Sequence, residues 1–472
     1  MSCYNRVSVA RLSPKPGRTL RAAHDSASPT PPAAVPLLDL RRQYQQVRAE
    51  ILAAVERVCA SQRYILGEEV EALEREIADF CGAREAVGCA SGTDALWLAL
   101  VTSGVQPGDQ VLTTPFSFFA SASAIARAGA RPVFSDIDPG TFNLDPVQVA
   151  KVLGAARNAK LRALLPVHLY GQCADMISFG HLAREFGLAL VEDAAQAIGA
   201  SWTDCGNVTS KEEDRSASGR PHANYGRKNS ATRRAGSMGL AATFSFYPTK
   251  NLSAYGEAGM VTTNNADMAE HMRRLRNHGS TQRYLHKELG WNSRLDAMQA
   301  AILRVKLKYV DGWNESRRQR AAIYDRLFVE AGLAETGLTA KPQTNLSKAA
   351  PQERRRNSES AASSQALNVS ADSPICLPKS LPHAQPVFHQ YVVRAHRRDQ
   401  LRAFLAERNI GTEVYYPIPL HLQPCFVYLG YREGDFPEAE RAAKEVLALP
   451  MFPELTEEEQ QWVVRSIAEF YS

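Results

Sequence analysis

No CxxC pair occurs among the eight cysteines of this 472-residue chain, so the spacing that holds structural zinc is missing and no metal site is expected. The thiols are scattered, which argues against a disulfide framework and fits a reduced, cytoplasmic setting. No apolar run approaches the roughly 20 residues that cross a bilayer, so no membrane partner is expected. The net charge of +5 is mild. No basic stripe is interleaved with aromatics, which removes nucleic acid as a partner. Acid is scarce at the start, where Asp25 is the only carboxylate of residues 1–34, a stretch rich in Arg, Ser, Pro and Ala. That composition suits a transit peptide, but it lacks amphipathic periodicity. It reads as a disordered tail or a start codon placed too early.

What remains is ordinary for a soluble enzyme: 44% hydrophobic and 22% charged residues. The length suggests two or three domains. From Val35 on, apolar spacing predicts helices over 42–59 and 68–80. A strand at 85–88 leads into a helix through Leu100. Strands at 111–114, 131–135, 163–167 and 188–192 then alternate with helices at 121–128 and 177–186. This rhythm predicts an α/β fold with a mostly parallel, doubly wound sheet. Ligands of such sheets sit at the carboxyl ends of the strands. One long helix is expected over 294–313, followed by a small α+β C-terminal domain from residue 311. That domain is given strands at 390–395 and 414–416, a helix at 399–408 and two closing helices. Residues 203–236 and 338–380 have no apolar run and read as disordered or surface insertions. The large domain then spans 35–310 and the small one 311–472.

Three short motifs carry chemistry. Ser91-Gly92-Thr93 lies where a strand ends and a helix begins, and free amides there favour a phosphate. A plain helix cap explains the same residues without a ligand. Asp193 ends a buried strand, where a carboxylate is costly unless it meets a cation such as a protonated pyridine. A capping Asp is the alternative. Lys250 lies in an apolar and aromatic run, Phe244 to Asn251. Desolvation there lowers its pKa, as a Schiff-base lysine requires; the alternative is a surface lysine after a turn at Pro248. Phosphate cup, ring partner and lysine, in that order, favour a functional reading as a set.

The set resembles the DegT/DnrJ/EryC1/StrS sugar aminotransferases, a family of fold-type-I pyridoxal-phosphate enzymes. SGTDAL (91–96), PFSFFAS (115–121), PVHLYGQ (166–172), EDAAQAIGA (192–200), FSFYPTKNL (244–252) and GWNSRLDAMQAA (290–301) carry the resemblance. YYPIPLHLQP (415–424) and ALPMFPELTEEE (448–459) extend it into the C-terminal domain. It implies that Lys250 binds pyridoxal 5'-phosphate and then moves protons. It implies that Asp193 faces the pyridine nitrogen, Gln196 the ring hydroxyl and Phe118 the ring face. Gly92, Thr93 and Ser245 would hold the phosphate. Asn292 would reach the phosphate of the other subunit, which implies a homodimer with shared sites. Tyr416 and His421 fall in the segment that would help hold the nucleotide sugar, although a lone histidine such as His421 is more often structural; His168 either lines the site or satisfies a backbone carbonyl. One departure concerns Gly256-Glu257-Ala258-Gly259: Ala258 replaces a usual glycine, and its methyl is tolerable only at negative φ.

The implied reaction moves an amino group from L-glutamate or glutamine to a keto-sugar linked to dTDP or UDP. The segment 278–296 is more similar to members that act at C3 than to those that act at C4. The product would enter polysaccharide or natural-product synthesis. A dehydratase or lyase on the same fold is the first alternative, against which Lys250 speaks, since the dehydratase branch carries histidine there. A catalytically silent sugar-nucleotide binder or regulatory protein is the second.

Overall fold

A computed structural model describes residues 32, 34–155, 160–203, 232–334 and 373–472. The tail at 1–31, and most of both expected insertions (204–231 and 338–372), lie outside the described residues.

The chain opens with α1 (Leu40–Ser61), α2 (Glu68–Cys81), β1 (Glu85–Cys89) and α3 (Gly92–Thr102). It continues with β2 (Gln110–Thr113), α4 (Ala120–Arg127), β3 (Arg131–Phe134), α5 (Pro146–Ala155) and β4 (Leu161–Leu165). Then follow α6 (Met176–Glu185), β5 (Ala189–Asp193), β6 (Ser201–Thr203), β7 (Thr232–Arg234), β8 (Ala241–Ser245) and β9 (Gly259–Thr263). After α7 (Ala266–Leu275) a hairpin of β10 (Ser280–Gln282) and β11 (Leu285–His286) projects, followed by α8 (Ala297–Leu307) and α9 (Val310–Glu330). The C-terminal part holds β12 (Ile375–Cys376), β13 (Ala384–Gln385), β14 (Tyr391–Ala395), α10 (Arg398–Glu407), α11 (Pro437–Glu445), β15 (Val446–Leu449) and α12 (Glu457–Tyr471).

Seven strands form the main sheet in the order β1-β9-β8-β5-β4-β2-β3. Only β9 runs against the others. The inner strands are largely apolar because both faces are covered, as at Leu190 and Val191 of β5. The register decides the site. Gly259 stands opposite both Cys89 and Ser245, so β1, β8 and β9 end in one row. Asp193 stands beside Thr243, one strand over.

The C-terminal part is built on a small sheet, β12-β14-β15. Its core takes in Tyr391, Val393, Leu401, Leu447 and Ile467, and also Val35 from the far end of the chain. Val35 N–H donates to Asn409 O (2.9 Å), and Gly411 N–H donates to Val35 O (2.8 Å). Val35 is thus tied to the C-terminal sheet region rather than to the large sheet. Residues 33–472 make one compact unit. No helix among the described residues is long and apolar enough to cross a membrane.

Three expectations change. The single helix over 294–313 is two helices, α8 and α9, with Lys308 and Tyr309 between them. Tyr309 N–H bonds Lys306 O at 3.0 Å, a tighter i−3 turn, and its ring stacks on Trp313 at 5.7 Å. The apolar stripe runs through this break, so periodicity alone does not reveal it. Residues 414–416 form no strand; only Glu413 bridges to Ala448. Lastly, the flanks of both insertions are ordered. Thr203 pairs with Thr232 in the β6–β7 ladder, and Ile375 pairs with Ala395. Short polar segments become strands here because neighbouring strands supply the partners.

Gly259 is a point of close backbone approach. A Cβ there would lie 2.2 Å from Ser91 O and 2.8 Å from Gly92 N. Gly259→Ala is therefore expected to lower stability by about 1–3 kcal/mol or more, read as an earlier midpoint in chemical denaturation. An unchanged midpoint contradicts this packing.

Candidate active site

Strand β5 ends in two acids that point to opposite faces. Glu192 is wholly buried. Its Oε2 accepts from His168 Nε2 (3.0 Å) and Gly236 N–H (3.1 Å), and its Oε1 from Met238 N–H (2.7 Å) and Gly239 N–H (2.6 Å). Burial opposes ionisation, but His168 and the amides outweigh it and hold the Glu192 pKa below the ordinary value. His168 Nδ1 accepts from Ala174 N–H at 3.1 Å, which places the ring proton on Nε2. Both ring nitrogens are thus used within the protein. The expectation that His168 lines the substrate site is corrected: it secures Glu192.

Asp193 faces the other way, toward Ser121 and Lys250. Ser121 Oγ donates to its Oδ2 (2.8 Å) and Ala195 N–H to its Oδ1 (3.2 Å). Burial raises its pKa, against the pull of Ser121, Ala195 and Lys250. This is a carboxylate that gains from a cation. Lys250 follows a turn in which its N–H bonds Tyr247 O at 2.9 Å. Burial brings its pKa down to about 8, and Asp193 holds it from falling further. A second lysine, Lys306, is lowered to about 7 by burial. It is only 1% exposed and donates to Ser253 Oγ beneath the same loop. Exposure therefore selects Lys250 as the accessible amine.

The cup lies at the start of α3. Ser91 caps the helix by accepting from Asp94 N–H at 3.1 Å. The N–H groups of Gly92 and Thr93, first in the helix, have no acceptor among the described residues. Ser245 closes one side so tightly that a Cβ on Gly92 would lie 2.6 Å from its Cβ. Ala258 is absent from the positive-φ residues, and its methyl is buried in the core. Asn292 is exposed, while the neighbouring Ser293 O accepts from Ala90 N–H (3.2 Å).

Phe118 is 58% exposed, with its ring 6.2 Å from Tyr416. Gln196 Nε2 donates to Tyr416 Oη (3.2 Å), and its Oε1 accepts from Tyr170 N–H (2.7 Å). These three residues form one wall. His421 does not join them. It is 2% exposed, bonds Glu440 at 3.0 Å and packs its ring on Phe436. This is the structural alternative, support of the 420s turn.

Sequence reasoning missed several contributors. Ser121 lies inside a quoted motif without a role assigned to it. Asn251 Nδ2 donates to Asn314 Oδ1 (2.8 Å), and His389 Nδ1 bonds Asn251 Oδ1 (3.0 Å). Asn314 Nδ2 reaches Ile198 O at 2.9 Å. The lysine loop is thus fixed both to the segment after Gln196 and to residues 387–389. These partners are distant in sequence, and only adjacency of Asn251 to Lys250 hinted at them.

The geometry therefore joins an anion cup, a buried carboxylate and an amine poised between charged and neutral at one end of the sheet. The DegT/DnrJ/EryC1/StrS aminotransferase family model matches residues 45–359 and 339–468. The chain belongs to this family. A pleiotropic regulatory protein of Geobacillus stearothermophilus is 47% identical, over 93% of this chain and 98% of its own. A dTDP-3-amino-3,4,6-trideoxy-alpha-D-glucose transaminase of Streptomyces venezuelae is 38% identical, over 92% and 96%. Among solved structures, S. venezuelae DesV in complex with a ketimine intermediate superposes with a TM-score of 0.76 at 38% identity. That match covers 94% of this family member and 99% of DesV.

The electrostatics can be checked directly. Labelling of Lys250 by an acylating reagent, followed by peptide mass spectrometry, is expected to rise with pH around a midpoint of about 8. Asp193→Asn removes the anion that favours the charged amine, so the midpoint moves down. A midpoint near that of a free lysine contradicts the assignment.

Proposed function

We propose that this chain is a pyridoxal-phosphate-dependent aminotransferase. It moves the amino group of L-glutamate to the keto carbon of a nucleotide-linked sugar and releases 2-oxoglutarate. The observation that carries this reading is the accessible lysine, lowered to about 8, set against a buried Asp193 beside an open helix N-terminus. The residues fit the cofactor. Gly92 and Thr93 offer two unused amides and Ser245 a hydroxyl to a phosphate. Asp193, with its pKa raised by burial, suits a protonated ring nitrogen. Phe118 and Tyr416 supply aromatic surface, and Gln196 a second amide hydrogen toward a ring hydroxyl.

When bound, pyridoxal phosphate withdraws electrons from the substrate's α-carbon. Lys250 Nζ accepts the α-hydrogen of L-glutamate as a proton; near pH 8 a substantial fraction of such an amine is neutral and able to do so. Asp193, held by Ser121 and Ala195, keeps its negative charge directed at one point. Tyr416 is positioned by Gln196 to face the sugar.

The dTDP or UDP nucleotide and amination at C3 are parts of the proposal, supported by the name of the S. venezuelae relative. So is a homodimer. Tyr284 (83% exposed), Leu289 (94%) and Trp291 (52%) crowd the projecting hairpin next to Asn292, a surface suited to a second copy. Unpaired thiols at Cys59, Cys81, Cys89, Cys173, Cys376 and Cys425 fit a cytoplasmic setting. The regulatory name of the Geobacillus relative keeps a non-catalytic reading open to test.

The test is an absorbance spectrum of the cofactor-loaded chain before and after L-glutamate, beside Lys250→Ala. A yellow band that fades on adding L-glutamate, with about one 2-oxoglutarate per site and no response in Lys250→Ala, is expected. A coloured chain that forms no 2-oxoglutarate points to a lyase or dehydratase. A chain that stays colourless with excess pyridoxal phosphate supports the regulatory reading.

A further inference from the structure

Asp193 is reached by a buried pair of hydroxyls. Ser117 is 3% exposed and Ser121 is 1% exposed. Ser117 precedes α4 and Ser121 lies in its first turn, with Phe118 and its exposed ring between them. Their Oγ atoms lie 2.9 Å apart, and Ser121 Oγ lies 2.8 Å from Asp193 Oδ2. Neither hydroxyl has another hydrogen-bond partner among the described residues.

The distance alone leaves the direction of the Ser117–Ser121 bond open, and a proton count settles it. A serine hydroxyl has one proton to give, and an ionised carboxylate has none. Ser121 gives its proton to Asp193, so it must accept one from Ser117. Donation therefore runs one way, from Ser117 to Ser121 to Asp193. Each donor in such a series polarises the next, most strongly where water is excluded. The bond from Ser121 is also the shorter of the two on Asp193; the other, from Ala195 N–H, spans 3.2 Å. Without Ser121 the carboxylate keeps that single donor, whereas Glu192 beside it has four. Burial already raises the Asp193 pKa, and a lost donor raises it further.

We propose that Ser117 and Ser121 are positioning residues whose one-way donation to Asp193 keeps the proton shared with the cofactor's ring nitrogen on that nitrogen. The inference rests on the aminotransferase reading and adds to it the groups that set the electronic state of the ring. A carboxylate whose negative charge is stabilised leaves the ring cationic and able to withdraw electrons. A carboxylate stripped of donors binds a proton more tightly and takes it from the ring, which then withdraws less. In that transfer one N–H bond breaks and one O–H bond forms, and nothing is oxidised or reduced.

The experiment uses the full-length chain loaded with pyridoxal phosphate that is isotope-labelled at the ring nitrogen. Nitrogen NMR reads the protonation of that atom directly, apart from any activity. Wild type is expected to show a protonated nitrogen. Ser121→Val and Ser121→Thr share an outline and differ in the hydroxyl. Ser121→Val is expected to move the signal toward an unprotonated ring. It also slows the half-reaction with L-glutamate by about tenfold or more, the loss typical of one hydrogen bond to a charged group. Ser121→Thr recovers the signal and most of the rate. Ser117→Ala moves the signal the same way by a smaller amount, with a rate loss of about two- to tenfold for one neutral hydrogen bond. Half-saturation for L-glutamate and cofactor affinity stay near wild type in all three. Serines that only fill space would lower melting temperature and leave the nitrogen signal of every folded variant at the wild-type position, which overturns the proposal. An unprotonated nitrogen in an active wild type overturns it as well. If Ser121→Val does not fold, Ser117→Ala, which removes a single oxygen, decides by the same signal. A wild type without colour or response to L-glutamate is instead a failure of the aminotransferase reading and is seen before any variant is made.

Discussion

Strand β5 carries a carboxylate out of solvent and leaves it at the strand's end with only two donors. Ser121 and Ala195 satisfy Asp193 in part, and burial still lifts its pKa. Such a group is stable as an anion only beside a positive charge. Lys250 provides some of that field from the neighbouring loop, and a cationic ring would provide the rest. The other parts of the site follow from this need. The sheet register brings the ends of β1, β8 and β9 into one row, so an anion cup stands beside the carboxylate. Tyr416, in the aromatic wall, lies within the field of Asp193.

The adjacent Glu192 solves the opposite problem. It is buried too, but four donors surround it, three of them from residues 236–239. Those residues come immediately after the segment at 204–231. The strand that presents Asp193 is thus clamped to the returning chain, and the β6–β7 ladder joins its two ends. His168, bonded through both ring nitrogens, completes the clamp, which explains why a histidine in a conspicuous motif has no chemical task.

Much of this was legible in the sequence, and the rest was hidden for physical reasons. Ser91, Gly92, Asp193 and Lys250 stand out because each breaks a local rule: an open helix start, a buried acid, a lysine among aromatics. Alternating strands and helices announce a parallel sheet. The division of α8 from α9 was invisible, because apolar side chains continue through the turn at Tyr309. Residues 414–416 look like a strand by composition, but no neighbour offers them a ladder. His168 and His421 are polar residues in motifs, and only their partners, Glu192 and Glu440, show that they are structural. Asn314 and His389 act across large sequence separations, where no local pattern can announce them.

Lys250, and not the more strongly depressed but enclosed Lys306, is the residue expected to bond the cofactor. Borohydride reduction of the pyridoxal-phosphate-treated chain, followed by peptide mass spectrometry, tests this most directly. The reduced cofactor mass is predicted on the peptide that contains Lys250, at close to one per chain. The same mass on Lys306, or spread over surface lysines with none dominant, would contradict the site described above.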